Sequence, residues 1–193
     1  STFGYSDVIY EKPLFSPLWK KTAWNVLQNL IKDRHLFPYG LSVPDIREIA
    51  YRHCELSGRV SGAKPIHAIE TSEFGNPEDI FEIKGKKYSV AFLNYYLRYC
   101  FAHKQISFKG NETIVELGTG SGYQVEVLKK LYPDLTILCF DLPLQVYLCE
   151  KYLSQAIPGG KVIGTDETLT WNDLSHVRKG HVHFFGELVL SVA

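Results

Sequence analysis

The feature that most constrains the fold of this chain is a set of alternating glycines, Gly118, Gly120 and Gly122, in the segment VELGTGSG. They directly follow a short apolar run, and Asp141 follows a second apolar run roughly twenty residues later. Glycines at such a turn permit positive φ angles and let a ligand approach the backbone, because no Cβ atom stands in the way. A carboxylate at the end of the second strand can accept hydrogen bonds from ribose hydroxyls. The pattern predicts an adenosine-type ligand; a tight turn without a ligand, with Asp141 capping a helix, is the alternative.

The acidic residue before the glycines, Glu116, helps to distinguish between two classes of adenosine ligand. Dinucleotides bind G-x-G-x-x-G loops, in which the start of the helix receives a pyrophosphate. Here the order is G-x-G-x-G, and Glu116 stands two residues before Gly118. Its carboxylate would repel a pyrophosphate but would attract the ammonium and sulfonium charges of S-adenosylmethionine. The residues therefore favour S-adenosylmethionine, and an NAD(P)-dependent oxidoreductase of the Rossmann type is the alternative.

Strand-like and helix-like segments alternate from Glu112 onward with short connections, which predicts an open parallel α/β sheet. In chain order we predict the strand Thr113–Leu117, the helix Tyr123–Leu131, the strand Leu135–Phe140, the helix Leu144–Leu153, the strand Lys161–Gly164 and the apolar stretch His181–Val192. We therefore expect residues 111–193 to form the ligand-binding domain.

Residues 1–110 are predicted to form a mostly helical cap with a short hairpin. Apolar residues recur at helical spacing in Ser16–Asp33, and a second helix is expected to begin at Pro44 and to end near Gly58. Alternating residues on either side of Lys84-Gly85 predict a hairpin. Ser89 is then placed to cap a largely apolar helix that follows the hairpin.

Charge and cysteine usage exclude several partner classes. Lysine plus arginine equal aspartate plus glutamate at 21 each, so no basic field favours nucleic acid. No run reaches the roughly 18–20 apolar residues of a membrane span, and the first residues lack the apolar core of a signal peptide. The four cysteines are scattered without a CxxC pair, which predicts free thiols and no metal site. We expect a cytoplasmic protein, for which a homo-oligomer is compatible with the sequence.

Several motifs resemble those of one enzyme class. VELGTGSG followed by FDLP resembles the first two motifs of class I S-adenosylmethionine-dependent methyltransferases, and FDLP is similar to small-molecule O-methyltransferases in particular. The segment KVIGTD, Lys161–Asp166, resembles the third motif, in which an acid contacts the adenine amino group. The segment Phe74–Tyr99 resembles the one that precedes the nucleotide fold in sugar O-methyltransferases found with polysaccharide biosynthesis genes.

This resemblance implies a Rossmann-like class I methyltransferase sheet and S-adenosylmethionine as the cofactor. It also implies transfer of a methyl group to a hydroxyl of a sugar or polysaccharide precursor, so that the partner is a glycan or small-molecule acceptor. The implied cofactor-binding residues are Glu116, Gly118, Thr119, Gly120, Gly122, Asp141, Leu142 and Asp166. The carboxyl-terminal segment matches the class poorly, which predicts an incomplete sheet. It also leaves a non-catalytic binding protein as an alternative.

No catalytic residue is predicted, although several side chains are candidates. His181 and His183 lie two apart on a presumptive strand and so face one side, where they could act as a base, hold a metal or simply form local hydrogen bonds. His67, near Glu70, and His103 are weaker candidates for the base. Aromatic residues at helical spacing could stack on a sugar or pack in the core. These are Trp19, Trp24, Tyr95, Tyr96 and Tyr99.

Overall fold

The computed structural model describes residues 43–77, 79–157, 159 and 161–186. The expected helix Ser16–Asp33, with Trp19 and Trp24, lies outside these residues, as does the end of the stretch His181–Val192. The helices are α1 (Val43–Ser61), α2 (Val90–Ile106), α3 (Tyr123–Leu131), α4 (Pro143–Ala156) and α5 (Thr165–Thr168), with single 3-10 turns at Ile66–Ala68 and Leu174–His176. The strands are β1 (Phe81–Ile83), β2 (Lys86–Tyr88), β3 (Thr113–Leu117), β4 (Thr136–Phe140), β5 (Val162–Ile163) and β6 (Val182–Phe185).

Four parallel strands form the main sheet in the order β3-β4-β6-β5. Helices follow the strands along the chain, so the described residues form a Rossmann-like α/β fold of the predicted class. The strand predicted at Lys161–Gly164 is present as β5 but lies at the edge of the sheet, while β6 pairs with β4. The longer β6 takes the interior position because Val182, His183 and Phe184 are completely buried there.

The predicted hairpin and the predicted capping of the following helix by Ser89 are confirmed. Strands β1 and β2 pair antiparallel, with Phe81 opposite Tyr88, and Lys84 and Gly85 both adopt left-handed φ angles of 54° and 75°. Two such residues are what a two-residue turn of the hairpin type requires. The Ser89 hydroxyl accepts a hydrogen bond from the Phe92 amide at 3.1 Å and so caps α2.

The end of α1 differs from the prediction. The helix continues beyond Gly58 to Ser61, and Gly62 adopts a left-handed φ of 70° after it. Gly58 serves packing instead, because a Cβ atom there would lie 2.4 Å from the Tyr96 hydroxyl oxygen. That hydroxyl donates a hydrogen bond to the Lys64 carbonyl oxygen at 2.8 Å, so it holds the chain after α1 against α2.

One continuous core joins the hairpin-and-helix region to the sheet. It contains Tyr51, Tyr96 and Tyr99 from the first region and residues such as Ile137 and Phe184 from the sheet. Tyr96 and Tyr99 are 0% and 1% exposed, so they pack in the core and are closed to a sugar. The four cysteines are free and buried, as predicted. Among the helices in the described ranges, none combines the length and apolar character that a bilayer crossing requires.

Candidate functional site

The glycine loop lies at the carboxyl end of β3, where it turns the chain into α3. Gly118, Gly120 and Gly122 all have left-handed φ angles, of 74°, 57° and 81°. Residues with a side chain rarely adopt this conformation, so the loop depends on glycine at each position. The Gly118 amide donates a hydrogen bond to the Phe140 carbonyl oxygen at 2.7 Å, which fixes the loop to the end of β4.

Asp141 follows β4 directly and holds the loop from the other side. Its Oδ2 atom accepts a hydrogen bond from the Gly120 amide at 2.8 Å, and its Oδ1 atom accepts one from the Leu142 amide at 2.8 Å. The Gln145 side chain, in the first turn of α4, donates a hydrogen bond to the Gly120 carbonyl oxygen at 2.6 Å. Each oxygen of an ionised carboxylate can accept a further hydrogen bond. Asp141 can therefore hold the loop and still accept hydrogen bonds from two ribose hydroxyls.

A cavity of about 590 Å³ opens beside the loop at the carboxyl ends of the strands. Its volume lies within the range of small-molecule sites. The residues that line it are Leu117, Gly118, Phe140, Asp141, Leu142, Pro143 and Gly186. A Cβ atom on Gly118 would meet no atom within 4 Å, so the backbone there is open to a ligand. The position agrees with the general location of ligands in open parallel sheets.

Gly122 and Thr119 shape the loop from beneath. A Cβ atom on Gly122 would lie 2.8 Å from the Cys149 sulfur and 3.1 Å from Leu153, so glycine lets α4 pack closely against the loop. Thr119 is 3% exposed, and its hydroxyl has no hydrogen-bond partner among the described residues. Both residues therefore lie on the packed side of the loop, whereas Gly118 lies at its open side.

Glu116, in β3, carries an unpaired buried carboxyl oxygen. Its Oε2 atom is shielded from solvent and has no hydrogen-bond partner in the part of the chain that the structure describes. Burial raises the pKa of Glu116 to about 7; the positive charge of Arg98 opposes this rise, and the negative charge of Asp141 adds to it. A buried carboxyl without a partner is costly, and such groups are concentrated at functional sites. A cationic ligand would satisfy it.

The cavity and the open backbone at Gly118 fit the adenosine of S-adenosylmethionine. Glu116 does not line the cavity, but its unpaired Oε2 atom, two residues before the loop, suits the positively charged end of that molecule. That molecule combines an adenosine with a methionine end that carries an ammonium group. A ligand with a pyrophosphate fits less well, because Glu116 and Asp141 both place negative charge at the loop.

Asp166 is not brought to the cavity lining. It is exposed in α5, which follows the edge strand β5. Its neighbour Thr165 does approach the site, since its methyl carbon would lie 3.8 Å from a Cβ atom on Gly186. Gly186, which directly follows β6 beside β4, lines the cavity instead.

The histidine candidates form no site around the cavity. The buried His183 accepts a hydrogen bond from the Arg178 amide at 3.0 Å, and its ring lies 5.6 Å from that of Trp171. His181 lies beside the Lys179 carbonyl oxygen, and His103 stacks on Phe108. The described residues contain no group of three or more side chains that could hold a metal ion. The local-hydrogen-bond interpretation of His183 is the one that the geometry supports.

Sequence reasoning missed Gln145, which binds the loop, and Arg98, whose charge acts on the pKa of Glu116. Gln145 could have been found, because it lies four residues after Asp141, in the first turn of the helix that follows. Arg98 carries no local signal, since its effect on Glu116 depends on how α2 packs against α1 and α3. The Tyr95 ring lies between α2 and α3: its centre is 4.7 Å from the guanidinium carbon of Arg98 and 5.9 Å from the centre of the Tyr123 ring.

Comparison with known families identifies one match. Residues 96–165 match the family model described as the O-methyltransferase domain. The matched range, roughly a third of the chain, runs from the second half of α2 through the glycine loop and Asp141 to the first residue of α5. It supports a methyltransferase of the O-methyltransferase class. No curated protein and no solved structure matches the chain.

Proposed function

We propose that this chain is an S-adenosylmethionine-dependent O-methyltransferase that methylates a hydroxyl of a sugar or polysaccharide precursor. The observation that carries the proposal is the buried, unpaired Oε2 atom of Glu116 next to a glycine loop with three left-handed residues. The family match at residues 96–165 supports the O-methyltransferase class. The sugar acceptor is supported by the resemblance of the segment Phe74–Tyr99 to sugar O-methyltransferases.

Each residue of the loop has a distinct proposed role in holding the cofactor. Asp141 accepts hydrogen bonds from the ribose hydroxyls, and the exposed Leu142 side chain packs against the adenine. Gly118 lets the cofactor approach the backbone, while Thr119, Gly120 and Gly122 give the loop its shape. Asp166 remains a candidate for the adenine amino group on the basis of the third-motif resemblance.

Glu116 is proposed to bind the α-ammonium group of the methionine end. The cofactor supplies a methyl group made electrophilic by the sulfonium. Positive charge on sulfur decreases as a methyl group leaves, so a carboxylate held against the sulfonium would stabilise the reactant more than the transition state. A carboxylate on the ammonium avoids this, because that charge does not change. We therefore expect Glu116 to contribute to binding of the cofactor and its demethylated product alike.

The remaining task of the protein is to position the acceptor. Methyl transfer is an in-line displacement, and most of its acceleration comes from holding the acceptor oxygen in line with the methyl group. A sugar hydroxyl is a weak acid, so a base that removes its proton would assist the reaction. The described residues around the cavity include one ionisable side chain, Asp141, which is already bound to the loop. We assign no catalytic base.

The acceptor class can be tested by transfer of a radiolabelled methyl group. Purified protein would be incubated with labelled S-adenosylmethionine and either nucleotide sugars, oligosaccharides or a small phenol, with Asp141→Ala as the inactive control. Label in a sugar, lost with Asp141→Ala, is the expected result. Label in the phenol alone would overturn the sugar acceptor but retain the O-methyltransferase, and tight cofactor binding without transfer to any acceptor class would favour a binding protein.

A further inference from the structure

A second cavity, of about 290 Å³, lies between α1 and α2. It shares no lining residue with the cavity beside the glycine loop, so its role is independent of the proposed function. The cavity is open to solvent, because Ile49 remains 51% exposed. Two of its eight lining residues are polar, and the apolar ones are Ile46, Ile49, Ala50, Val90, Leu93 and Leu97. This lining favours apolar side chains as the occupant.

The apolar surface continues along both helices beyond the cavity. On α1, Leu56 and Val60 follow Ile49 by seven and eleven residues, which returns them to the same helix face. They are 59% and 68% exposed. On α2, Phe101 follows Leu97 by four residues and is 72% exposed. Single exposed apolar residues are ordinary, but a stripe along two neighbouring helices marks an interaction surface.

The two stripes border one groove, because α1 and α2 run in the same direction. The Cys54 sulfur donates a hydrogen bond to the Leu93 carbonyl oxygen at 3.4 Å. Gly58, one turn further along α1, lies against Tyr96, which is likewise further along α2. We call the cavity and its extension along the exposed residues of both helices the α1–α2 groove.

The sequence before α1 contains a segment that matches this groove. The segment Ser16–Asp33 lies outside the described residues, and the spacing of its apolar residues predicts an amphipathic helix. One face of that helix would carry Trp19, Ala23, Val26 and Leu30, and the opposite face Lys21, Asn25, Gln28 and Lys32. A helix of these 18 residues is roughly 27 Å long, and α1, with 19 residues, is roughly 28 Å long. The segment therefore agrees with the groove in both length and apolar spacing.

The connection between the segment and α1 is long enough to bring the two together. Residues 34–42 lie between them, and an extended chain of this length spans at most roughly 30 Å. That distance matches the length of α1, so the segment can reach the groove in either orientation. The connection also raises the local concentration of the segment to the order of millimolar, which favours it over a second copy or another protein.

We propose that the segment Ser16–Asp33 binds in the α1–α2 groove as a helix and packs its apolar face against both helices. Helices recognise such grooves through apolar anchors three, four and seven residues apart, which is the spacing found in the segment and along α1. An isolated helix of this length is only marginally stable in water, so burial of its apolar face is what stabilises it. The docked helix covers the exposed residues Ile49, Leu56, Val60 and Phe101.

Tryptophan fluorescence reports on this docking, because two of the chain's three tryptophans, Trp19 and Trp24, lie in the segment. Trp171→Phe in the full chain leaves these two as the reporters. The emission maximum of the folded protein is expected at a shorter wavelength than that of the urea-unfolded chain, because docking removes the indole rings from water. It should not change on dilution, because the segment and the groove belong to one chain.

Lysine substitutions in the groove and in the segment test whether the two meet. Ile49→Lys, Val60→Lys and Leu30→Lys should each shift the emission toward its unfolded value and lower the melting temperature, because each places a charge in the proposed contact. Ile49→Lys combined with Leu30→Lys should shift the emission no further than either change alone, since both disrupt the same contact. Leu174→Lys is the matched control and should change neither quantity, since Leu174 is 58% exposed and lies outside the groove.

Three results would overturn the inference. Emission of the folded protein equal to that of the unfolded chain would mean that the segment stays in water. Emission at a shorter wavelength that Ile49→Lys and Val60→Lys both leave unchanged would place the segment elsewhere on the protein. Emission that shifts on dilution, together with dissociation in sedimentation, would mean that a second copy supplies the contact. Each measurement uses ligand-free protein, so its result stands apart from cofactor binding and from the proposed function.

Discussion

Glu116→Gln is expected to stabilise the ligand-free protein in a pH-dependent way. Burial raises the pKa of Glu116 to about 7, with Arg98 opposing and Asp141 reinforcing the rise. In the unfolded chain the carboxyl ionises at its ordinary pKa of 4.5. Between these two values the folded state binds the proton more tightly than the unfolded state. The stability that the protonated carboxyl provides is therefore lost as the pH rises from 4.5 to about 7.

The size of this stability difference follows from the difference between the folded-state and unfolded-state pKa values of Glu116. A difference of roughly 2.5 pKa units corresponds to about 3 kcal/mol of folding free energy at full ionisation. Glutamine has nearly the same shape as the protonated glutamate but cannot ionise. The variant should thus match the wild type near pH 4.5 and exceed it by up to about 3 kcal/mol near pH 8.5. Urea unfolding of both proteins at the two pH values measures the difference, in which the titration of all other groups cancels.

Two results would refute this reasoning. An equal difference between the variant and the wild type at both pH values would mean that Glu116 does not titrate in this window. A variant less stable than the wild type near pH 8.5 would mean that the carboxylate has a partner in the ligand-free protein.

The Glu116 carboxyl should also govern cofactor binding. The affinity for the cofactor should fall as the pH drops below about 7, because the carboxyl must lose its proton to pair with an ammonium.

Four further substitutions test other parts of the account. Asp141→Ala should weaken S-adenosylhomocysteine binding more than tenfold, or about 1.4 kcal/mol, in calorimetry; an unchanged affinity would contradict the ribose assignment. Both Gly118→Ala and Gly122→Ala strain a left-handed backbone, but only the second adds a clash, with Cys149, so Gly122→Ala should lower the free energy of unfolding further, by about 2 kcal/mol or more in total, whereas Gly118→Ala should also reduce ligand affinity; equal effects of both variants on stability would contradict this division. Gly58→Ala should lower the melting temperature through its clash with Tyr96, and a Tyr96→Phe background should relieve part of the loss; a full loss in that background would show that the hydroxyl is not the obstacle.

Local patterns predicted the elements that depend on neighbours in the chain. The turn at Lys84-Gly85 and the cap at Ser89 formed as expected, because turn and cap chemistry involve residues only a few positions apart. The glycine loop and Asp141 were found for a related reason: the spacing of residues along a strand, a turn and a helix fixes their relative positions. The pattern did not reveal that Asp141 would bind the Gly120 amide.

The features that escaped prediction depend on distant contacts. Gly58 resembled a helix stop, but its role is set by Tyr96, which lies on another helix. The interior position of β6 is decided by which strand buries more apolar surface, and this places Gly186 rather than Asp166 at the cavity. Arg98 was missed because its charge acts on Glu116 only after α2 has packed against α3.

Calorimetry of S-adenosylhomocysteine binding, with NADH as the control ligand, tests the central claim most directly. The glycine loop, Asp141 and the unpaired Glu116 carboxyl predict binding of S-adenosylhomocysteine in the micromolar range and no binding of NADH. Binding of NADH alone would contradict the charge argument built on Glu116 and would restore the dinucleotide alternative. Binding of neither ligand would leave the glycines as a structural turn, and the methyltransferase account of this chain would fail.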